Sequence, residues 1–153
     1  MTTKSTFLCF LRRSTVAGAV VAAALAGPAY ANKDPVTPEQ LKAYQEAFLE
    51  EVRKGDLLFH GDAATAEQLG VTLSNTGWAC AMCHPMASDT HPHAFPKFQA
   101  SMAKFATLRD MINWCIEKPM QGEIIESDSD AMKALEAYIY WSNTGSVLVP
   151  GKY

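Results

Sequence analysis

The run Cys80-Ala81-Met82-Cys83-His84 places two thiols and an imidazole within five residues. Its C-x-x-C-H pattern is the attachment signature of a c-type haem. Two cysteines three positions apart can reach the two vinyl groups of one porphyrin and form thioethers. The histidine directly after the second cysteine is then held under the iron, where its imidazole becomes the proximal axial ligand. The same two cysteines also suit a C-x-x-C zinc or dithiol site. Zinc calls for a second ligand pair at similar spacing, and a thioredoxin-like dithiol calls for βαβ flanks; the sequence supplies neither. Cys80 and Cys83 are therefore read as covalent attachment points for one haem c, and His84 as the proximal iron ligand.

Residues 1–31 read as a cleavable signal peptide. Lys4, Arg12 and Arg13 form a basic start, Ser14 to Ala26 is small and apolar, and Ala29-Tyr30-Ala31 is an A-x-A cleavage site. The apolar run is shorter than the ~20 residues that span a bilayer. Cys9 precedes this run, so it does not sit where a lipoprotein cysteine would. Export to an oxidising compartment is expected, the periplasm in a bacterium, with no membrane span in the mature chain. Removing 31 of 153 residues leaves 122, enough for one domain with one modest core. Losing Lys4, Arg12 and Arg13 takes the formal charge from −3 to −6. An acidic protein of this size is a poor nucleic-acid binder and is steered towards a redox partner through that partner's basic patch. Three cysteines then remain, so Cys115 is left over once two hold haem.

The positioning elements follow from periodicity. Residues 32–37 form a polar linker, and 38–153 the domain. Thr37-Pro38-Glu39-Gln40 is a helix start, with a Thr cap, Pro at the first helical position and Gln three residues after the cap. Leu41, Tyr44, Phe48 and Val52 then make one apolar stripe. Gly55 either ends this helix or lies within it. Residues 61–79 read as an insertion with Gly70, Asn75 and Gly77 as turn residues, and Trp78 is placed near the haem edge or in ordinary core. Pro85 to Pro96 is loop, in which His91 and His93, like His60, read as surface polar groups in preference to iron ligands. Lys97 to Ala106 is a short helix or a loop wrapped along the haem. Thr107 caps a helix carrying Leu108, Met111, Ile112, Cys115 and Ile116, which stops before Pro119. Asp128 or Ser129 opens the last helix, whose stripe is Met132, Leu135, Tyr138 and Ile139; Lys133 and Glu136 fall on its solvent side. Asn143-Thr144-Gly145 ends it, and residues 146–153 form a tail. With no sustained strand alternation, the expectation is an all-α single domain.

Gly55-Asp56-Leu57-Leu58-Phe59 ahead of C-x-x-C-H resembles the N-terminal helix of class I cytochromes c. That resemblance implies the class I fold around one covalent haem, a glycine where the first and last helices cross, and an aromatic beside the haem. Two residues compete for the distal iron position. Met120, on the loop before the last helix, is where class I cytochromes keep a thioether ligand, with Tyr138 in the usual aromatic place. The bland alternative is a loop methionine filling a gap. Cys115 is the other candidate, against the ordinary reading of an inert core thiol.

A wider pattern bears on that choice. Ile112-Asn113-Trp114-Cys115, Met120-Gln121-Gly122, Met132 to Tyr138, Asn143-Thr144-Gly145 and Pro150-Gly151 together resemble the haem domain of SoxA, and are similar to the haem domains of thiosulfate dehydrogenases. SoxA loads thiosulfate onto a carrier protein. In it the cysteine at the matching place is the distal ligand and takes part in the sulfur chemistry, a role that would fall to Cys115. The chain departs from SoxA in lacking a second cytochrome-like domain. It also has Met111 where SoxA has a basic residue one turn before the cysteine, with Arg109 nearby.

Three readings follow. The preferred one is a periplasmic monohaem cytochrome passing single electrons between redox partners, with sulfur-compound oxidation as the setting that the resemblance implies. The second is a SoxA-like or thiosulfate dehydrogenase-like enzyme subunit, with Cys115 catalytic and Arg109, Lys104 or Lys118 lining an anion path. The third is a haem-based gas binder with a displaceable distal ligand. The sequence favours an electron-transfer protein over a catalyst.

Overall fold

The computed structural model describes residues 35–153. The segment 1–31, expected to be a signal peptide, and the first part of the expected linker lie outside the described residues. Helix α1, Pro38–Phe59, opens on the expected capping box: Thr37 Oγ1 accepts from the Gln40 N–H, and Gln40 Oε1 accepts from the Thr37 N–H. Its stripe, however, is buried only at its C-terminal end. Val52, Gly55, Leu58 and Phe59 are buried, whereas Leu41, Tyr44 and Phe48 are 45–58 % exposed. The first three turns extend past the rest of the described domain, so helical periodicity there is not accompanied by a partner. Gly55 does not end the helix; it lies inside α1, against α5.

The insertion begins with α2, Ala63–Gln68, capped by Asp62. A single turn, α3 (Cys80–Cys83), carries the C-x-x-C-H motif. Two 3-10 turns follow at Pro85–Ala87 and Pro92–Ala94. The expectation of a helix or plain loop at 97–106 is overturned. Strand β1, Lys97–Gln99, pairs antiparallel with β2, Lys104–Ala106, with Phe98 opposite Phe105. The domain is thus mostly helical with one small ribbon, not purely α. Three-residue strands are too short for a period-two pattern to register, yet pairing them satisfies backbone groups that a bare loop would leave open.

Helix α4, Leu108–Glu117, has the expected capping box from Thr107 and Asp110. Helix α5, Asp130–Ser142, is capped by Ser129 and buries Met132, Leu135, Tyr138 and Ile139 as its stripe requires. The core sits where α1 crosses α5 and α4 lies alongside: Phe59, Leu58, Ile116, Met132 and Leu135 are almost wholly buried. Asn113 ties α4 to the following loop, donating from Nδ2 to the Ile125 carbonyl at 2.8 Å and accepting its N–H at 3.0 Å. Glu136 is not on the solvent side. It pairs with Arg109 at 2.9 Å and its side chain is mostly covered. The 146–153 segment is not a free tail either. Val149 and Gly151 N–H groups donate to the carbonyls of His93 and Ala94, both at 2.9 Å.

The α4 cap is also an electrostatic device. A hydrogen bond from Lys104 (2.7 Å), then those from the Thr107 N–H and hydroxyl (2.8 Å each), bring the Asp110 carboxyl from 3.8 down to about 2. A depressed carboxylate contributes stability that is present above its unfolded value and lost as pH falls through the folded one. Asp110→Asn is expected to cost about 1 kcal/mol at pH 7, since solvent screens this partly exposed pair. The gap between variant and parent in thermal melts should close between about pH 4 and pH 2.

Candidate haem site

The single turn of α3 sets the two cysteines on one edge of a cavity. The His84 N–H closes the turn on the Cys80 carbonyl at 2.9 Å, which brings the imidazole to the same wall. The cavity measures about 430 Å³ and is walled by Phe59, Ile112, Leu135 and Ile139 from the three long helices. Cys80, Cys83, His84, Cys115 and Met120 all line it, as does the half-exposed Trp78. Residues as far apart in sequence as Phe59 and Ile139 thus meet at one apolar volume.

The chemistry of these groups is set by burial. Desolvation, followed by the nearby Cys115, pushes the Cys80 thiol up to about 12. Desolvation, followed by Cys83, pushes Cys115 up to about 11. The three thiols are therefore close enough to feel one another's charge, and both buried ones are neutral at physiological pH. The Nδ1 of His84 is buried with no hydrogen-bond partner among the described residues. A buried imidazole nitrogen without a partner is costly, and it marks this ring as one the protein's own network does not use. Among the described residues no three His, Cys, Asp or Glu side chains converge where a bare ion could sit. The groups line a volume instead of closing on a point. An apolar cavity edged by two thiols and an unengaged imidazole fits a flat, hydrophobic, thiol-reactive macrocycle with a metal at its centre.

The two distal candidates are presented differently. Met120 belongs to the cavity wall but is only 4 % exposed and packed into the core. Cys115 is half-buried, on the α4 face that looks into the cavity. Both are therefore brought to the site, Cys115 as the less deeply packed of the two.

The basic residues considered for an anion path are engaged elsewhere. Arg109 bonds Glu136 and donates to the Ser127 carbonyl at 2.8 Å; Lys104 bonds Asp110; Lys118 pairs with Glu117 at 3.0 Å. None of them lines the cavity. The cation that does is Lys97, which sequence reading passed over. Its Nζ lies 4.8 Å from the centre of the Phe95 ring and donates to the backbone carbonyl of Tyr153. His91, expected at the surface, also lines the cavity, stacked on the Tyr153 ring with centroids 4.0 Å apart. His93 is half-buried beside the Asn143 carbonyl at 3.2 Å, whereas His60 is exposed as expected. Asn143, read only as a helix end, donates from Nδ2 to Ile139 (2.9 Å) and Ala87 (3.2 Å). It thereby anchors the loop after His84, where Met86, Ala87, Asp89 and His91 all adopt left-handed backbone. No local signal marks these residues, because their partners lie about fifty positions away.

A crossed-helix domain built on such a cavity is the architecture of a small c-type haem protein. The family comparison agrees: residues 71–148 match the model for the SoxA/TsdA cytochrome c domain. The chain belongs to that family, and with membership come haem c binding, a haem-based electron-transfer role and redox protein partners. The match starts nine residues before Cys80, so it takes in the last part of the insertion. No curated protein matches the chain. No described helix is long and apolar enough to cross a membrane.

Proposed function

We propose that this protein is an exported, monohaem c-type cytochrome that carries single electrons between redox partners in the oxidation of sulfur compounds. Residues 1–31 are its signal peptide, 32–37 the linker and 38–153 the haem domain, delivered to the periplasm. The observation that carries the reading is the shared cavity, with Cys80, Cys83 and His84 on one edge and Cys115 presented from α4. Haem bound there supplies one-electron exchange between ferric and ferrous iron. The chain's residues do the rest. Cys80 and Cys83 would tether the macrocycle through thioethers, and His84 would hold its iron through an imidazole nitrogen. Cys115 would offer a sulfur ligand to the same iron, binding it as a thiolate. Ile112, Leu135 and Ile139 exclude water, which keeps the dielectric low and limits reorganisation. The acidic surface favours docking on a partner's basic patch.

A carrier is preferred to a catalyst because Arg109, Lys104 and Lys118 are held in ion pairs away from the cavity, and Lys97, which does line it, is engaged by the Tyr153 carbonyl. A gas binder would need an open distal position, which Cys115 would fill in this reading. The test is the protein secreted by a host that matures c-type haem. Its mass should rise by one macrocycle, and Cys80 and Cys83 should resist alkylation. The oxidised EPR spectrum should carry a low-spin thiolate signature, and the double variant Cys80→Ala/Cys83→Ala should lose haem on acid extraction. A colourless parent with both thiols free to alkylate rules the reading out. Haem reduction by thiosulfate without a partner would move the assignment to the catalyst.

A further inference from the structure

The insertion before Cys80 makes a specific set of contacts with the loop that follows α4. Its segment 72–76 lies against the loop Met120-Gln121-Gly122. Three donors converge on the Met120 carbonyl: the Asn75 N–H at 3.0 Å, the Ser74 hydroxyl at 3.3 Å and the Thr76 hydroxyl at 3.3 Å. The Asn75 side chain adds a 2.7 Å bond to the Gln121 carbonyl, and the Glu123 N–H donates to Thr72 at 2.8 Å. Gly122 shows how close the approach is. A Cβ there would lie 2.3 Å from the Leu73 carbonyl oxygen, which only glycine avoids. Gln121 between them has φ of 53°, a left-handed conformation that persists in a non-glycine residue only where its surroundings over-determine it.

The loop so held is the one that carries Met120. Its N–H reaches back to the Cys115 carbonyl at 3.3 Å, and Gly122 donates to Ile116 at 2.8 Å, so loop and helix end are one rigid piece. A methionine side chain has three rotatable bonds and adapts readily to a nearby metal. What limits it is where its backbone is pinned. A cysteine has one rotatable bond, and its sulfur goes where α4 puts it.

We propose that residues 72–76 act as a ligand-selecting clamp, holding the Met120 thioether in the core so that Cys115 is the sulfur offered to the distal face of the haem. This rests on the haem reading above and deepens it. Ser74, Asn75 and Thr76 are positioning residues; they act through the Met120 backbone and touch no cofactor. Released from them, Met120 moves out of its place in the cavity wall towards the cavity's interior and competes with Cys115. Thioether and thiolate have opposite preferences for ferrous and ferric iron, so the clamp selects the redox poise.

The experiment compares oxidised spectra and CO binding of the full secreted protein across four variants. Cys115→Ala with the clamp intact should show no far-red methionine charge-transfer band and should bind CO rapidly. Adding Ser74→Ala/Asn75→Pro/Thr76→Ala, which removes the Asn75 N–H together with the side-chain donors, should bring that band in and slow CO binding at least tenfold. Adding Met120→Leu to this set should abolish the band and restore fast CO binding. Met120→Leu alone should leave the parent spectrum unchanged. The proposal is overturned if Cys115→Ala by itself displays the methionine band. It is equally overturned if the band fails to appear on clamp removal while haem content and helical circular dichroism match the parent. Should the triple replacement lose haem, Thr76→Val on the Cys115→Ala background takes its place, and partial gain or absence of the band decides in the same way. A parent with a methionine band but normal mass and haem content sinks the clamp and spares the haem reading. A colourless parent sinks the haem reading.

Discussion

Gly55→Ala is expected to lower the melting temperature by roughly 10–15 °C, although alanine is the better helix former. On propensity alone the change would stabilise α1 by about 1 kcal/mol. The packing decides otherwise. A Cβ at Gly55 would lie 1.9 Å from the Ala134 carbonyl oxygen, 2.6 Å from its carbon and 2.7 Å from the Tyr138 Cβ. Two of these atoms are α5 backbone, so no side-chain rotation relieves the contact. The helices must move apart at their crossing, where Phe59 and Tyr138 rings lie 5.2 Å apart and Leu58, Ala134 and Leu135 are almost fully buried. Overpacking of this kind costs about 3 kcal/mol, which for a domain of this size gives the stated shift. Thermal melts followed by far-ultraviolet circular dichroism measure it. A variant that melts at or above the parent would mean that the two helices do not cross at Gly55. Because Phe59, Leu135 and Ile139 form the cavity wall, the same variant should also hold its haem less rigidly.

Cys115→Ala is expected to raise the midpoint potential by on the order of 100 mV, a modest part of the ~0.8 V over which axial ligands set haem potentials. A thiolate is an anionic donor and stabilises ferric iron; removing it takes away that preference. For one electron, about 59 mV corresponds to a tenfold change in the relative binding of the two oxidation states. The structural cost of the substitution is small, since one sulfur atom is removed from a half-buried position already open to the cavity. Potential and stability are thereby separable: the redox titration should move far while the melt moves little. A midpoint within about 20 mV of the parent would mean that Cys115 is not an iron ligand. Met120→Leu provides the contrast, with a core packing loss of about 1 kcal/mol and an unmoved potential.

Much of this was legible before any coordinates. The C-x-x-C-H motif is local chemistry, complete within five residues, and its turn geometry follows from the spacing. Helix starts are local too: Thr37, Thr107 and Ser129 satisfy N–H groups three residues on, so each cap is written beside the helix it begins. The α5 stripe was readable because that helix is enclosed along its whole buried face. Residues 1–31 were read the same way, from charge and hydropathy, and their assignment rests on sequence alone.

Tertiary structure decided what depends on distant partners. Periodicity marked Leu41, Tyr44 and Phe48 as apolar, but only the arrangement of helices shows that nothing in the described domain covers them. Glu136 lies off the α5 stripe, yet Arg109, twenty-seven positions earlier, draws it into a pair. The 97–106 ribbon arises because two short segments can satisfy each other's backbone, a preference too brief to leave a pattern. The role of the insertion was unreadable for the same reason: Ser74, Asn75 and Thr76 are ordinary turn residues until they meet a carbonyl forty-four to forty-six positions away. The choice between two sulfurs five residues apart belongs here as well. Residue type makes both Cys115 and Met120 eligible for iron, and only the tertiary structure shows that both line one cavity, Met120 as the more deeply packed of the two.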